Sequence, residues 1–227
     1  MTIDFIYVIS LITEPHDISV KIKDLKMKTD TPFYVVPAIN GWDLQNGNAT
    51  SPYKKYNQAK WWKLDSNSNE PQNNWWSRDL TPGEIGCGLS HYSTIENAYN
   101  EGFENILILE DDTEFVKSID NLVDYSKEIN NTYDMLYLAG RHINKNPYKE
   151  TVSSMSFAVN SNKNHAIKSK NILTTGSYCI KKPAMEYLIN NINNYSKEID
   201  VFYVEKIQQH FECYLCIPNI TKQRDGY

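Results

Sequence analysis

ILILEDDTEF, residues 106–115, decides the reading of this chain. Four apolar residues of strand length run straight into Glu110, Asp111 and Asp112. Like charges repel, and burying them is costly. Either the strand ends in water, or something cationic sits against those carboxylates. In a strand, alternate side chains share a face, so Glu110 and Asp112 are expected on one face and Asp111 on the other. Two carboxylates on one face, at the C-terminal end of a parallel strand, are half of a site for a hard dication such as Mg²⁺ or Mn²⁺. In open α/β sheets the ligand crevice lies at those strand ends. A bound dication would turn the repulsion into coordination.

Outward from this strand the pattern is α/β. IDFIYVISL (3–11) reads as a buried opening strand. A moderately amphipathic helix follows Asp17, carrying Val20, Ile22, Leu25 and Met27. PFYVVPAI (32–39) is a second strand, closed by the turn pair Asn40-Gly41. Strand, helix, strand is how a parallel sheet begins. In LTPGEIGCGLSHYSTIENAYNEGF (80–103), Thr81 is an N-cap, Pro82 fits the first helical position, and Glu84 completes a capping box. Gly86 and Gly88 each weaken that helix by about 1 kcal/mol relative to Ala, so another backbone or a ligand must come close. Beyond the 105–112 strand, which reads as the central one, come a helix at about 118–130 and the strand YDMLYLAG (133–140). Short strands and turns fill 150–180. PAMEYLINNI (183–192) reads as a proline-started helix, VFYVEKIQQH as a last helix capped by Asp200, and FECYLCI as a closing strand.

Composition narrows the class. The chain has 227 residues, 41% hydrophobic and 22% charged, with a net charge of -5, which fits a globular protein and argues against the broad basic footprint of a nucleic-acid binder. No basic segment precedes the first apolar run, Asp4 interrupts it, and no run nears the roughly 20 residues that span a bilayer, so a cytoplasmic protein with no transmembrane segment is expected. The four cysteines fit reduced thiols better than a disulfide framework. Cys213 and Cys216 form a C-x-x-C on a strand, where a spacing of three puts them on opposite faces. They do not read as a zinc or redox motif.

From Gly41 to about residue 79 the periodicity breaks, and all five tryptophans lie there. Long irregular segments inside compact domains are usually functional or locally folded. Trp61, Trp62, Trp75 and Trp76 form either an acceptor platform for the apolar faces of sugars or a packing layer against the body. Lys54, Lys55, Lys60, Lys63 and Arg78 interleave with them. Basic residues among aromatics also hold single strands and flipped bases, so a sugar transferase acting on a modified DNA base is an alternative that the net charge argues against.

Several segments agree with one family. YVISL (7–11), VPAINGWDL (36–44), LTPGEIGCGLSHYSTIENA (80–98), ILILEDDTEF, DMLYLAG (134–140), TTGSYCIKKPAMEYLI (174–189) and PNITKQ (218–223) resemble, in order, the family 25 glycosyltransferases. These include lipooligosaccharide and collagen galactosyltransferases. The pairing of GEIGCGLSH with LEDD is the most specific part. The resemblance implies an α/β fold, a GT-A-like, Rossmann-type mixed sheet flanked by helices. It implies one domain over 1–227 with an aromatic-rich insertion at about 41–79. It further implies a Mn²⁺- or Mg²⁺-dependent, inverting transfer of a hexose from a nucleotide sugar, a UDP-hexose by analogy, to a glycan or glycoprotein hydroxyl. Glu110 and Asp112 would fill the metal motif, with Asp111 beside them at the donor. Where relatives commonly carry arginines after the first strand, ITEPHDISVK (12–21) has none; His16 and Lys21 are the candidate substitutes.

The remaining candidates each have two readings. His91 lies seven after Glu84, hence on roughly the same helix side. Glu84, Ser90 and His91 then touch donor or acceptor, or else Glu84 is only a cap and His91 a hydrogen-bonded core residue. Asp200 is a general base or an N-cap. Glu114 is a candidate base if the strand persists that far, and Gln223 reaches the donor or metal region or is a solvated residue. A non-catalytic carbohydrate-binding relic and a metal-dependent phosphohydrolase are the rival classes.

Overall fold

A computed structural model describes residues 1–11, 18–19, 23–25, 29–45, 80–142, 165–192 and 197–224. A seven-stranded mixed sheet organises them. Its strands are β1 (Phe5–Ser10), β2 (Phe33–Pro37), β3 (Asn105–Glu110), β5 (Met135–Tyr137), β7 (Ala166–Lys168), β9 (Ser177–Lys181) and β10 (Cys213–Cys216), in the order β2-β1-β3-β9-β5-β10-β7. β1 runs parallel to both β2 and β3. β9 enters antiparallel between β3 and β5, and β7 pairs antiparallel with β10 at the edge. This is the Rossmann-type mixed sheet that the sequence implies. Its geometric centre is β9 rather than β3, because the antiparallel β9 inserts beside β3. Two ribbons accompany the sheet: β4 (Thr113–Phe115) with β11 (Thr221–Gln223), and β6 (Arg141–His142) with β8 (Ile172–Leu173).

The central strands are buried on both faces, as parallel strands covered by helices must be. In β3, Ile106 and Ile108 join one hydrophobic cluster while Leu107 and Leu109 join the other. β1 splits likewise, with Tyr7 and Ile9 against Ile6 and Val8. Helices α2 (Pro82–Asn100) and α4 (Lys182–Asn191) cover the first face, with a composite helix α5. α5 runs Ile199–Phe202, then a π-helical turn Tyr203–Ile207, then Gln208–His210. Leu122 and Tyr125 of α3 (Asp120–Glu128) and Leu25 cover the other face. Cys213 and Cys216 fall in opposite clusters, as the strand reading requires, and all four cysteines are unpaired with one another.

The capping box of α2 is present: Glu84 N–H donates to Thr81 Oγ1 at 3.3 Å, and Thr81 N–H donates to Glu84 Oε2 at 2.7 Å. A short helix α1 (Gly41–Gln45) packs against the start of α2. Gly86 explains itself there, because a Cβ on it would lie 2.4 Å from Ile39 O and 2.8 Å from Gly41 N. The close approach is of backbone, one of the two causes expected from sequence. Among the described residues no helix is long and apolar enough to cross a membrane.

Two expectations change. β3 stops at Glu110, and Asp111 and Asp112 form a turn, so strand alternation does not extend to Asp112 or on to Glu114. Asp200 is not an N-cap: α5 starts at Ile199 with Glu198 in the cap position, and Asp200 lies inside the first turn.

Candidate active site

Alternation along β3 puts Glu110 on the same side as Ile106 and Ile108, the side covered by α2. There it meets His91, which is 0% exposed. His91 Nε2 lies 3.0 Å from Glu110 Oε1, and His91 Nδ1 lies 2.8 Å from the Tyr178 hydroxyl, itself 2.8 Å from the Tyr203 hydroxyl. Thr175 Oγ1 also donates to Glu110 Oε1 at 2.8 Å. Burial pushes the Glu110 carboxyl up, but the hydrogen bond and charge of His91 and the Thr175 bond outweigh it and hold the group below its usual range.

Each neighbouring acid is gripped from a different element. Ser10 Oγ, at the end of β1, donates to Asp111 Oδ2 at 2.6 Å. Gln223 Nε2, on β11, donates to Asp112 Oδ2 at 2.6 Å. Arg224 clamps the turn's backbone, its N–H on Asp112 O at 2.8 Å and its Nη2 on Asp111 O at 3.0 Å. Three consecutive carboxylates are thus held by side-chain donors: Glu110 by His91 and Thr175, Asp111 by Ser10, and Asp112 by Gln223. That answers the question their sequence raised: donors, rather than water alone, hold the cluster together.

A cavity of about 280 Å³ opens beside the ends of β1, β2 and β3, walled by Glu110, Asp111, His91, Cys87 and Ser90 among others. Its position is the crevice expected at the carboxyl ends of a parallel sheet. Asp112, 7% exposed, is not among the residues walling it. At the lip stand Leu11 and Trp42, 54% and 61% exposed. The sequence reading names Trp61, Trp62, Trp75 and Trp76 rather than Trp42; those four, with His16 and Lys21, lie outside the described residues. Its signal was the Asn40-Gly41 turn before it: Asn40 Oδ1 accepts from Trp42 N–H at 3.0 Å and starts α1 at the crevice.

Asp200, on α5, feels the charge of Glu110 but is not among the residues walling the cavity. Burial raises its carboxyl above the usual range, partly offset by hydrogen bonds from the backbone N–H groups of Val201 and Thr174, while the Glu110 charge adds to the rise. Thr174 holds its position at φ +93°, a backbone region that a β-branched residue rarely adopts. Thr174 and Thr175 therefore bridge Asp200 and Glu110, a link that no sequence motif advertises.

Three candidates are placed elsewhere or otherwise occupied. Glu84 is engaged in the capping box and is not among the residues walling the cavity. Ser90 Oγ accepts from Ile39 N–H at 2.8 Å and donates to Gly86 O at 2.6 Å, so it fastens α2 to the crevice loop. Glu114 lies on the β4–β11 ribbon, 42% exposed, 3.5 Å from Lys222 Nζ and 3.4 Å from Arg224 Nε. Its ion pairs, and the break in the strand before it, leave the proposed base role without geometric support.

Comparison with known proteins gives the family. Residues 3–203 match the family described as glycosyltransferase family 25 (LPS biosynthesis protein). The chain is 36% identical over 78 residues to human inactive glycosyltransferase 25 family member 3, covering 33% of this chain and 13% of that protein. It is 37% identical over 98 residues to the procollagen lysyl hydroxylase and glycosyltransferase of Acanthamoeba polyphaga mimivirus, covering 38% of this chain and 10% of that protein. It is 35% identical over 78 residues to human procollagen galactosyltransferase 2, covering 32% and 12% respectively. The matches thus span only about an eighth of these relatives' own length. Among solved structures, A197 from STIV aligns over 99% of this chain and 96% of its own, at 8% identity and a TM-score of 0.46.

Proposed function

The chain belongs to glycosyltransferase family 25, and on that premise we propose that it transfers a hexose from a nucleotide diphosphate sugar to a hydroxyl of a glycan or glycoprotein, inverting the anomeric centre. The observation that carries the reading is the set of three consecutive hydrogen-bonded carboxylates at the end of β3, of which Glu110 and Asp111 wall the crevice. An all-oxygen donor set of this kind fits a hard dication, Mn²⁺ or Mg²⁺, with Glu110 and Asp112 as its protein ligands and Asp111 beside them. When bound, such an ion would neutralise the donor pyrophosphate and stabilise the departing nucleotide diphosphate.

The chain's own groups do the rest. His91, Thr175 and Gln223 orient the carboxylates, as hydrogen-bond partners behind metal ligands do. Trp42 offers a flat face at the lip for a sugar or a base. Asp200, its basicity raised by burial, takes the proton of the acceptor hydroxyl as that oxygen attacks the anomeric carbon opposite the leaving group. Galactose from UDP is the donor of choice, because one relative is named a procollagen galactosyltransferase. A cytoplasmic setting goes with the unpaired cysteines.

A second reading has its own observation. The human relative at 36% identity is named inactive, which favours a carbohydrate-binding protein without turnover. Calorimetry with UDP-galactose and Mn²⁺, followed by assay of donor hydrolysis over hours, separates the two. Metal-dependent nucleotide binding with release of UDP supports the transferase; binding of sugar alone, indifferent to metal and without UDP release, supports the second reading. Release of free phosphate would indicate a phosphohydrolase instead.

A further inference from the structure

Cys87 and His91 lie four residues apart on α2 and so share one face of the helix. That face looks onto Glu110. The Cys87 Sγ, a ring nitrogen of His91 and a carboxylate oxygen of Glu110 all lie within 4.8 Å of one another. All three residues wall the cavity. We propose that Cys87, His91 and Glu110 form a three-ligand site for zinc, with the fourth coordination position open to the cavity. The site shares Glu110 with the proposed donor metal but differs from it in chemistry. Sulfur and imidazole nitrogen select zinc over magnesium or manganese, which prefer oxygen.

The geometry is close to that of an assembled site. Tetrahedral zinc with ordinary bond lengths sets its donors about 3.3–3.6 Å apart. His91 Nε2 and Glu110 Oε1 stand at 3.0 Å, so they must part by a few tenths of an ångström while Cys87 closes in. The supporting partners are already in place. Thr175 Oγ1 donates to Glu110 Oε1, and the Tyr178 hydroxyl faces the other ring nitrogen of His91 at 2.8 Å. Metal-bound histidines commonly donate that second N–H to such a partner, and loss of the partner costs roughly 10–100-fold in affinity.

The proton balance closes without any other reactant. In the metal-free site His91 Nε2 faces Glu110 Oε1 and Nδ1 faces the Tyr178 hydroxyl. With Nε2 taken by the ion, Nδ1 carries the imidazole proton and donates it to the Tyr178 oxygen. The Tyr178 O–H then turns to Tyr203, 2.8 Å away. The Cys87 thiol proton leaves for solvent as the thiolate forms. A dication at the site supplies the charge that lets the thiol ionise. The bound set of thiolate, neutral imidazole and carboxylate leaves no net charge on the ion and its ligands. The usual sequence signal for zinc, a pair of C-x-x-C-type motifs, is absent; the third ligand comes from a strand nineteen positions on.

Cobalt(II) substitution tests the site. The full chain is titrated with Co²⁺ without nucleotide, so the result does not depend on whether the protein transfers sugar. One equivalent is expected to produce a thiolate-to-cobalt charge-transfer band in the near ultraviolet and visible bands of tetrahedral cobalt, both abolished by Zn²⁺. Cys87→Ser, checked for folding by circular dichroism, should lose the charge-transfer band and weaken Zn²⁺ binding by more than the roughly 10–100-fold cost of an outer partner. Absence of the band in the wild-type chain with excess Co²⁺ overturns the proposal, whatever the variant does. So does its persistence in Cys87→Ser, which would assign the band to another cysteine.

Discussion

His91 Nε2 and Glu110 Oε1 stand 3.0 Å apart, tying the middle of a buried helix to the last residue of a buried strand. The contact is a structural joint and part of the candidate site at once. Without it Glu110 would keep Thr175 as its hydrogen-bond donor, and the Tyr178 hydroxyl would lose its ring partner.

His91→Ala is therefore expected to cost roughly 2–4 kcal/mol, the range for breaking a buried, hydrogen-bonded charge partner. The loss has a pH signature. The Glu110 carboxyl is held below its usual range in the folded chain, so its contribution is present above the unfolded value of about 4.3 and vanishes as pH falls through the lower folded value. Urea unfolding at pH 7 and at pH 3 checks this: the gap between wild type and variant should narrow in acid. A gap of equal size at both pH values would mean that His91 contributes packing alone.

Gln223→Ala isolates the support behind Asp112. Gln223 donates to a buried carboxylate, so the substitution should cost roughly 1–3 kcal/mol of stability. Its Nε2 orients Asp112 Oδ2, and loss of such a partner should raise the Mn²⁺ concentration needed for UDP-sugar binding roughly 10–100-fold. Calorimetric titration of Mn²⁺ at fixed UDP-galactose reads the shift. An unchanged midpoint would remove Asp112 from the metal's ligands.

Much of the fold could be read from local signals. The capping box, the buried β3 and the opposite facings of Cys213 and Cys216 depend only on neighbours in sequence. The paired glycines forecast a close approach, and at Gly86 the approaching group is the backbone of Ile39 and Gly41. What was not legible depends on long-range pairing. β9 slips antiparallel between β3 and β5, and no local pattern specifies that register. The chain turns after Glu110 because β4 pairs with β11, more than a hundred residues on, which places Glu114 opposite Lys222. Likewise, the clasp of Asp112 by Gln223 and the bridge from Thr175 to Glu110 join residues 111 and 65 positions apart. The acids could be found from sequence, and so could His91 and Gln223 as candidates; which acid each one holds, and the parts played by Ser10 and Thr175, could not.

Asp200→Asn should separate activity from stability. Burial raises the Asp200 carboxyl above its ordinary range, so the acid limb of kcat/KM should lie above the usual aspartate value of about 3.9. The variant should lose that limb and roughly 10²–10⁴ of turnover. For stability the sign is opposite. A raised carboxyl favours the folded state most below the unfolded value and loses that contribution as pH rises through the folded one. Ionised Asp200 is therefore a cost at neutral pH, and Asp200→Asn should be at least as stable as wild type at pH 7. A pH–rate profile and thermal unfolding at two pH values provide the check; retained turnover with an unmoved acid limb would assign the base elsewhere.

Thr174→Gly tests whether backbone strain positions that base. A β-branched residue at φ +93° costs about 1–3 kcal/mol, held only because its surroundings require it. Here the surroundings are the Asp200 carboxyl, which accepts the Thr174 N–H, and Thr175, which is committed to Glu110. Glycine adopts positive φ freely but adds unfolded-state entropy of about 0.5–1 kcal/mol, so the net expectation is a gain of roughly 1 kcal/mol. Turnover should fall at the same time, because a freer backbone no longer fixes the N–H on Asp200. Chemical denaturation and steady-state kinetics on the one variant read both. A stability loss would show that the Thr174 side chain, rather than its strained backbone, holds the segment in place.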